Sequence, residues 1–293
     1  MKKLFSLIFV SFLVFVSASA AIRTAVTGNW HLTAASNTAW GGVTATSSAD
    51  TCIIPNGVTV TIMSTGVTCG ALIVEAGGIL TFQSSSSRSV NVISGGGYNG
   101  TVTINGTVAA ANSNGQFIAW NGPSFTLGST SNWTWAGTSS GTDGGIHYTG
   151  TGTTTIFGNS KIAGALEISN GGTVNLNGDA TFRGQGTAGF AVKLLTATSQ
   201  LNVPAATTLI ADKNPAASST GNFNIVSGSK ITVNGTLEDR AGGATGVTAG
   251  AGAITFNSTA KYIHNSNGST LISTVANGSA NIVWNSGSIC EVK

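Results

Sequence analysis

The residues best equipped for chemistry lie near the middle of the chain. Asp143-Gly-Gly-Ile-His147-Tyr148 brings a carboxylate, an imidazole and a phenol within six residues of a Gly-rich bend. Lys161 and Arg183 follow, separated by roughly one turn of a coiled chain, so all could share an outer face. Such groups could neutralise a uronate carboxylate and abstract the neighbouring proton, as a polysaccharide lyase does. Hydrolysis by acid–base catalysis would instead need two carboxylates held close together, and the 9 acidic residues are scattered. Only Glu238 and Asp239 are adjacent, and on a strand they point to opposite faces, which leaves a polar face with Arg240 as partner. No Cys/His cluster and no calcium-binding nonapeptide repeat occurs, so neither metal nor cofactor is expected.

Aromatic spacing offers a second kind of site. Trp133 and Trp135 stand at i and i+2 and would project from one face of a strand, with Phe117 and Trp120 in the preceding turn. Exposed, they would form a flat platform for sugar rings, with Tyr148 nearby. Turned inward, they would be a core stack, as large apolar residues usually are. Cys52 and Cys69 flank a short loop that a disulfide would close in an oxidising compartment, or else they are two small buried side chains that never meet. Cys290 is left over.

The elements that must hold these residues are implied by composition. Gly, Ser, Thr and Asn make up nearly half of the 293 residues, only 7% are charged, and 41% are apolar. That is too apolar for a disordered tail and too poor in Glu, Lys and Arg for a helical bundle. Lys2 and Lys3, an apolar run from Leu4 to Val16, and Ala18-Ser19-Ala20 read as a signal peptide over residues 1–20, too short in its apolar part to span a bilayer. Without Lys2 and Lys3 the formal charge falls from +3 to +1. A nearly neutral surface with scattered basic residues does not gather nucleic acid. No later stretch resembles a membrane span, so an integral membrane protein is not expected either.

From Asp50 onward, short alternating apolar runs recur, among them Thr59 to Ile62, Ala71 to Val74, Ile79 to Phe82, Thr153 to Phe157, Ala165 to Ile168 and Ile231 to Val233. Their period of two, their β-branched content and their Gly, Asn or Ser boundaries mark half-buried strands. No capped helical window appears after residue 20. Val102-Thr-Ile-Asn-Gly106, Val174-Asn-Leu-Asn-Gly178 and Ile231-Thr-Val-Asn-Gly235 repeat one motif, in which Asn-Gly bends the chain at a fixed corner through left-handed backbone angles. The expected fold is all-β, a right-handed single-stranded parallel β-helix over residues 21–293, with 21–70 as the N-terminal cap and first coils. At ~20 to 25 residues per turn and ~4.8 Å per rung it would have about ten rungs and a length of about 50 Å.

Two segments carry a resemblance. Thr27-Gly-Asn-Trp30, Trp40-Gly-Gly42, Asp50, Ile54-Pro-Asn-Gly57, Val58-Thr-Val-Thr61, Leu72-Ile-Val74 and Gly77-Gly-Ile-Leu80 resemble the start of secreted bacterial β-helix surface proteins of the pectin-lyase-like type with an eight-glycine-type domain. The resemblance implies that the two Trp cap the first coil. Tyr262-Ile-His264, Asn267-Gly268, Trp284 and Ser288-Ile-Cys290 are similar to a later element of such proteins, many of them cargo of the type IX secretion route. Relatives carry Pro before the Asp, where Val43 to Ala49 has none, and continue past the Cys towards a sorting domain, so a truncated chain is expected here. Taken together, the expectation is a secreted or cell-surface structural or adhesive module, a non-enzymatic stalk contacting glycans or neighbouring surface proteins. The alternative is a polysaccharide-active or carbohydrate-binding protein.

Overall fold

A computed structural model describes residues 21–293 except 43–45, 85–86, 96, 98, 111–114, 136–143, 163, 185–189, 214–222, 241–246, 249–252 and 266–280. The leader assigned to residues 1–20 and the bend residue Asp143 therefore lie outside the described residues. Where β-branched and polar residues alternate, the backbone is extended. Because the runs are short and each ends in a corner rather than a two-residue hairpin turn, the chain winds on instead of folding back.

The result is a parallel β-helix with three faces. The first face is an 11-stranded sheet from Ala21–Thr24 to Asn281–Trp284, and successive turns pair in parallel along it. The second face has a lower sheet of five strands, from Gly28–Trp30 to Asn132–Trp135, and an upper sheet of six, from Ser160–Ile162 to Ile289–Val292. The third face has eight strands, from Val67–Cys69 to Val247–Thr248. Thr51 lies opposite Ala71 and Thr153 opposite Thr173, whereas Ile73 lies opposite Thr103 and Gln200 opposite Lys230. A turn thus takes about 20 to 30 residues, longer than expected at its upper end, and the surplus falls at the corners.

Register converts alternation into an inside and an outside. Val174, Leu201, Ile231 and Ile254 stand in one column and are fully buried. Ile118, Ile146, Leu166, Val192 and Phe223 do the same on the third face. Asn175 and Asn202 stack on the outside, the Asn202 amide donating to Asn175 Oδ1 at 2.8 Å. Each inward Leu, Ile or Val removed from water stabilises by about 1.5–3 kcal/mol, and each turn adds its own set.

The three Asn-Gly motifs do occupy one corner, that between the first and second faces. Their glycines are required for two different reasons. Gly178 has a φ of +123°, the backbone angle expected from the sequence. Gly106 and Gly235 have no such angle; a Cβ there would come within 2.3 Å of the Gly78 carbonyl and 2.2 Å of the Thr207 carbonyl. The corner backbone packs directly on the preceding turn, so only hydrogen fits. Further up the corner the side chains of Asn234, Asn257 and Asn285 form a ladder of amide hydrogen bonds at 2.8 and 2.9 Å.

At the first coil, Trp30 and Trp40 are buried edge to face with ring centroids 5.0 Å apart, and Trp30 Nε1–H donates to Thr46 Oγ1 at 2.8 Å. Asp50 is buried, accepts the Ser47 N–H at 2.8 Å and lies 3.0 Å from Arg23 Nε. Cys52 and Cys69 both point into this coil as thiols within hydrogen-bond reach of each other. Burial, and then the Cys52 contact, push the Cys69 thiol well above its ordinary value.

Replacing Gly235 by Ala is expected to cost about 1–3 kcal/mol through forced backbone displacement. Gly57→Ala should cost about 1 kcal/mol, because φ there is +74° but nothing lies within 4 Å of the added methyl. Denaturant titration of the two variants checks the order; equal losses would show that the corner is not closed by backbone contact.

Candidate functional site

The second face is where the fold is discontinuous. Asn132–Trp135 closes the lower sheet and Ser160–Ile162 opens the upper one; the two strands are neighbours but do not pair. Trp133 lies opposite Val108, an interior position, and is only 7% exposed. The inward alternative for this residue is therefore the one observed, and an exposed Trp platform does not form around it. The side chain of Trp135 lies outside the described residues. Among the described residues no strand pairs with Asn132–Trp135 on its upper side, and the Trp133 indole borders a cleft in the flank of the coil.

That cleft, of about 410 Å³, is lined by Trp133, Lys161, Ile162, Thr181, Arg183, Ile210, Asp212 and Arg240. Lys161, Thr181 and Ile210 share one outward column of the upper sheet. Arg183 and Asp212 are opposite one another in the next column, and Arg240 follows one turn later, its N–H bonded to the Ala211 carbonyl. Lys161 and Arg183 thus do sit about a turn apart on one outer face, as their spacing suggests.

Two ion pairs hold the arginines in place. Arg183 donates from Nε and Nη2 to Asp212 Oδ2 at 3.1 and 2.7 Å. Arg240 Nε donates to Glu238 Oε1 at 2.7 Å, and the Asn265 amide donates to the same oxygen at 2.7 Å. The Arg240 hydrogen bond is the main reason the Glu238 carboxyl is held below its ordinary range, with burial opposing it. Asp239 points the other way, fully buried, with the Tyr262 hydroxyl donating to it at 3.4 Å. The opposite-face reading of this acidic pair therefore holds.

His147 and Tyr148 are placed elsewhere. They lie on a strand, Gly145–Tyr148, rather than on a bend, and so point to opposite sides of the third face. Tyr148 faces the interior, 1% exposed, its ring 5.2 Å from Trp120; this correction removes it from any external sugar-binding surface, because its position in the register is a core column. His147 is outward, stacked on Phe117 at 4.0 Å, with Nδ1 3.8 Å from Glu167 Oε1. Lys193 Nζ lies 3.6 Å from the other Glu167 oxygen. Burial raises the Glu167 carboxyl above its ordinary value, and Lys193 pulls the opposite way.

The imidazole therefore belongs to one face and the Lys161–Arg183 pair to another. Residues that spacing had joined as a lyase set are brought together only in part: Lys161 and Arg183 meet in the cleft, and His147 does not line it. Asp212, Arg240 and Ile210 complete the cleft and escaped sequence reasoning. Their signal was a separation of about one turn from Arg183 or Thr181, readable only once the turn length is known. Among the described residues, no group of three or more His, Cys, Asp or Glu side chains gathers as a metal site.

No family model, curated protein or solved structure matches the chain.

The two carboxylates have opposite linkage to pH. Glu238, lowered in the fold, contributes stability above the ordinary glutamate value of 4.5 that is lost as pH falls through its folded pKa. Glu167, raised in the fold, contributes stability below 4.5 that is lost as pH rises through its folded pKa. Glu238→Gln should flatten the acid-side fall in melting temperature. Glu167→Gln should be relatively more stable than the parent at neutral pH than at pH about 4, each effect being about 1 kcal/mol or less. Melting curves across acid and neutral pH check both signs.

Proposed function

We propose that this chain is an exported, non-enzymatic β-helix module, a rigid stalk or adhesive element at the cell surface. It contacts glycans or neighbouring surface proteins through its flank, at the Trp133–Lys161–Arg183–Arg240 cleft. The observation that carries this reading is the distribution of polar groups: a cleft with cations and an indole on the second face, and the His147 imidazole on the third. A proton-abstracting site would need base and charge-neutralising cation within reach of one sugar ring.

Export is supported by the leader-like first twenty residues and by the resemblance of the first coils to secreted bacterial β-helix proteins, including those that use the type IX route. A stalk role is supported by the ladder itself, since a coil whose successive turns satisfy each other's backbone has few exposed strand edges for a protease to engage. Among the described residues no helix is long and apolar enough to cross a membrane.

Two measurements test the proposal. Purified protein should adhere to glycan-coated or cell surfaces while leaving uronate polymers intact; turnover that disappears in His147→Ala would overturn the non-enzymatic reading. Protein recovered from outside the cell should carry a Cys52–Cys69 disulfide, formed by an oxidoreductase during folding, before burial suppresses thiolate formation. Alkylation of unfolded, unreduced protein should then modify only Cys290 of the 3 cysteines. Modification of all three would argue against passage through an oxidising compartment.

A further inference from the structure

Away from the cleft, one outward column of the third face sets a carboxylate, an amine and a carboxamide on successive turns. Glu167 on Ala165–Ile168, Lys193 on Val192–Leu194 and Asn224 on Phe223–Ile225 are register partners in that order, each between two buried apolar neighbours. Positions paired in this way lie ~4.8 Å apart along the coil, well within the length of a lysine side chain. Lys193 therefore has an acid one turn below it and an amide one turn above. Among the lysines of the described strands it alone is so placed: Lys230 stands between Gln200 and Ala253, and Lys261 between Thr236 and Ile289.

The column faces outward and is nonetheless sheltered. The side chains of Lys193 and Glu167 are 15% and 18% exposed, against 35% and 36% for the surface pair Lys261 and Glu291. Lys193 Nζ lies 3.6 Å from Glu167 Oε2, and His147, stacked on Phe117, has its Nδ1 3.8 Å from Oε1 on the other side. Burial, the larger of the two influences on the Glu167 carboxyl, raises it, and Lys193 opposes. Withdrawn from water, an ammonium–carboxylate pair gains little over the neutral amine and acid that one proton transfer makes of it. The neutral amine is a nucleophile, and the acid beside it can carry a proton. Fixed register holds both against the Asn224 carboxamide, so that a slow aminolysis becomes intramolecular.

We propose that Lys193 and Asn224 are joined by an intramolecular amide bond, with Glu167 as the proton carrier. Lys193 Nζ, having given one proton to the Glu167 carboxylate, attacks Asn224 Cγ. The Nζ–Cγ bond forms and the Cγ–Nδ2 bond breaks. Glu167 gives its proton to the departing nitrogen and takes another from Nζ, so neutral ammonia leaves, Glu167 ends as the acid and no oxidant or reductant is involved. The bond ties two successive turns across one whole circuit of the coil, in a column where backbone pairing otherwise acts alone. It does not depend on what the flank cleft contacts.

The experiment is mass spectrometry of the whole chain after reduction, unfolding and proteolysis. A branched peptide joining Lys193 to Asn224, lighter by one ammonia, should replace the two separate peptides. A chain nicked between the two positions should also stay in one piece under denaturing, reducing conditions. Lys193→Arg and Asn224→Ala each remove a reactant and should abolish the link. Lys193→Arg retains a cation beside Glu167, yet it should melt several degrees below the parent because the closed loop is lost. Glu167→Gln, which removes the proton carrier and keeps the shape, should remain folded by circular dichroism and mostly unlinked. Its loss of the tie lowers melting at every pH and leaves the pH trend given above in place. Recovery of Lys193 and Asn224 on separate peptides of the parent would overturn the proposal, whatever the variants do. A link from Lys193 to any other residue, Glu167 included, would overturn it equally, and full linkage in folded Glu167→Gln would overturn the role given to the acid.

Discussion

Parallel backbone pairing between successive turns is the constraint on which this structure rests. A turn of three short strands cannot satisfy its own N–H and C=O groups, since none of its strands pairs with another in the same turn. Each turn is therefore completed by the turns below and above it. That requirement fixes register, and register decides which residue of every alternating pair is buried: Val174, Leu201, Ile231 and Ile254 form one interior column only because Asn175, Asn202, Thr232 and Thr255 form the adjoining exterior one. The same closeness of turns explains why Gly106 and Gly235 have no tolerance for a side chain.

Where the ladder is interrupted, chemistry becomes available. Along an unbroken face the outward side chains form columns in which like groups stack or opposite charges pair, as in Asn202 on Asn175 or Lys193 on Glu167. At the break between Asn132–Trp135 and Ser160–Ile162 an interior indole instead meets exterior cations. Trp133 has its place in the register of the core, yet one side of it faces the cleft. The surrounding ion pairs hold two guanidinium groups in fixed orientation, and Lys161 lines the same wall of the coil beside Asp179.

How far the molecule could be read in advance differs by level. Runs such as Thr59–Ile62, Thr153–Phe157 and Ala165–Ile168 were legible to the residue, because alternation and β-branching act locally. The Asn-Gly corner was legible in place but only partly in cause: left-handed backbone explains Gly178, while Gly106 and Gly235 respond to a neighbour about a turn away. Strands with weak alternation, such as Gly145–Tyr148, passed for a bend since their glycines resemble turn residues. Of the chemistry-bearing residues, Lys161 and Arg183 have a spacing that matches their common cleft, Tyr148 occupies a core column that its polar flanks do not reveal, and Asp212 and Arg240 reach the cleft through turn lengths that no local pattern carries.

What the amino-acid order determined by itself is the winding: short alternating segments, corners of Asn and Gly, few charges, and an apolar residue at every second strand position admit one-directional coiling and little else. What tertiary structure alone decided is which distant residues become neighbours. The length of each turn varies between about 20 and 30 residues, and a change of one residue in a strand's register exchanges its inside for its outside. Contact across turns is therefore set by corner lengths summed along the chain, a long-range quantity that no local pattern contains. That is why the strands could be read from the chain, and the meeting of Trp133, Lys161, Arg183 and Arg240 only from the fold.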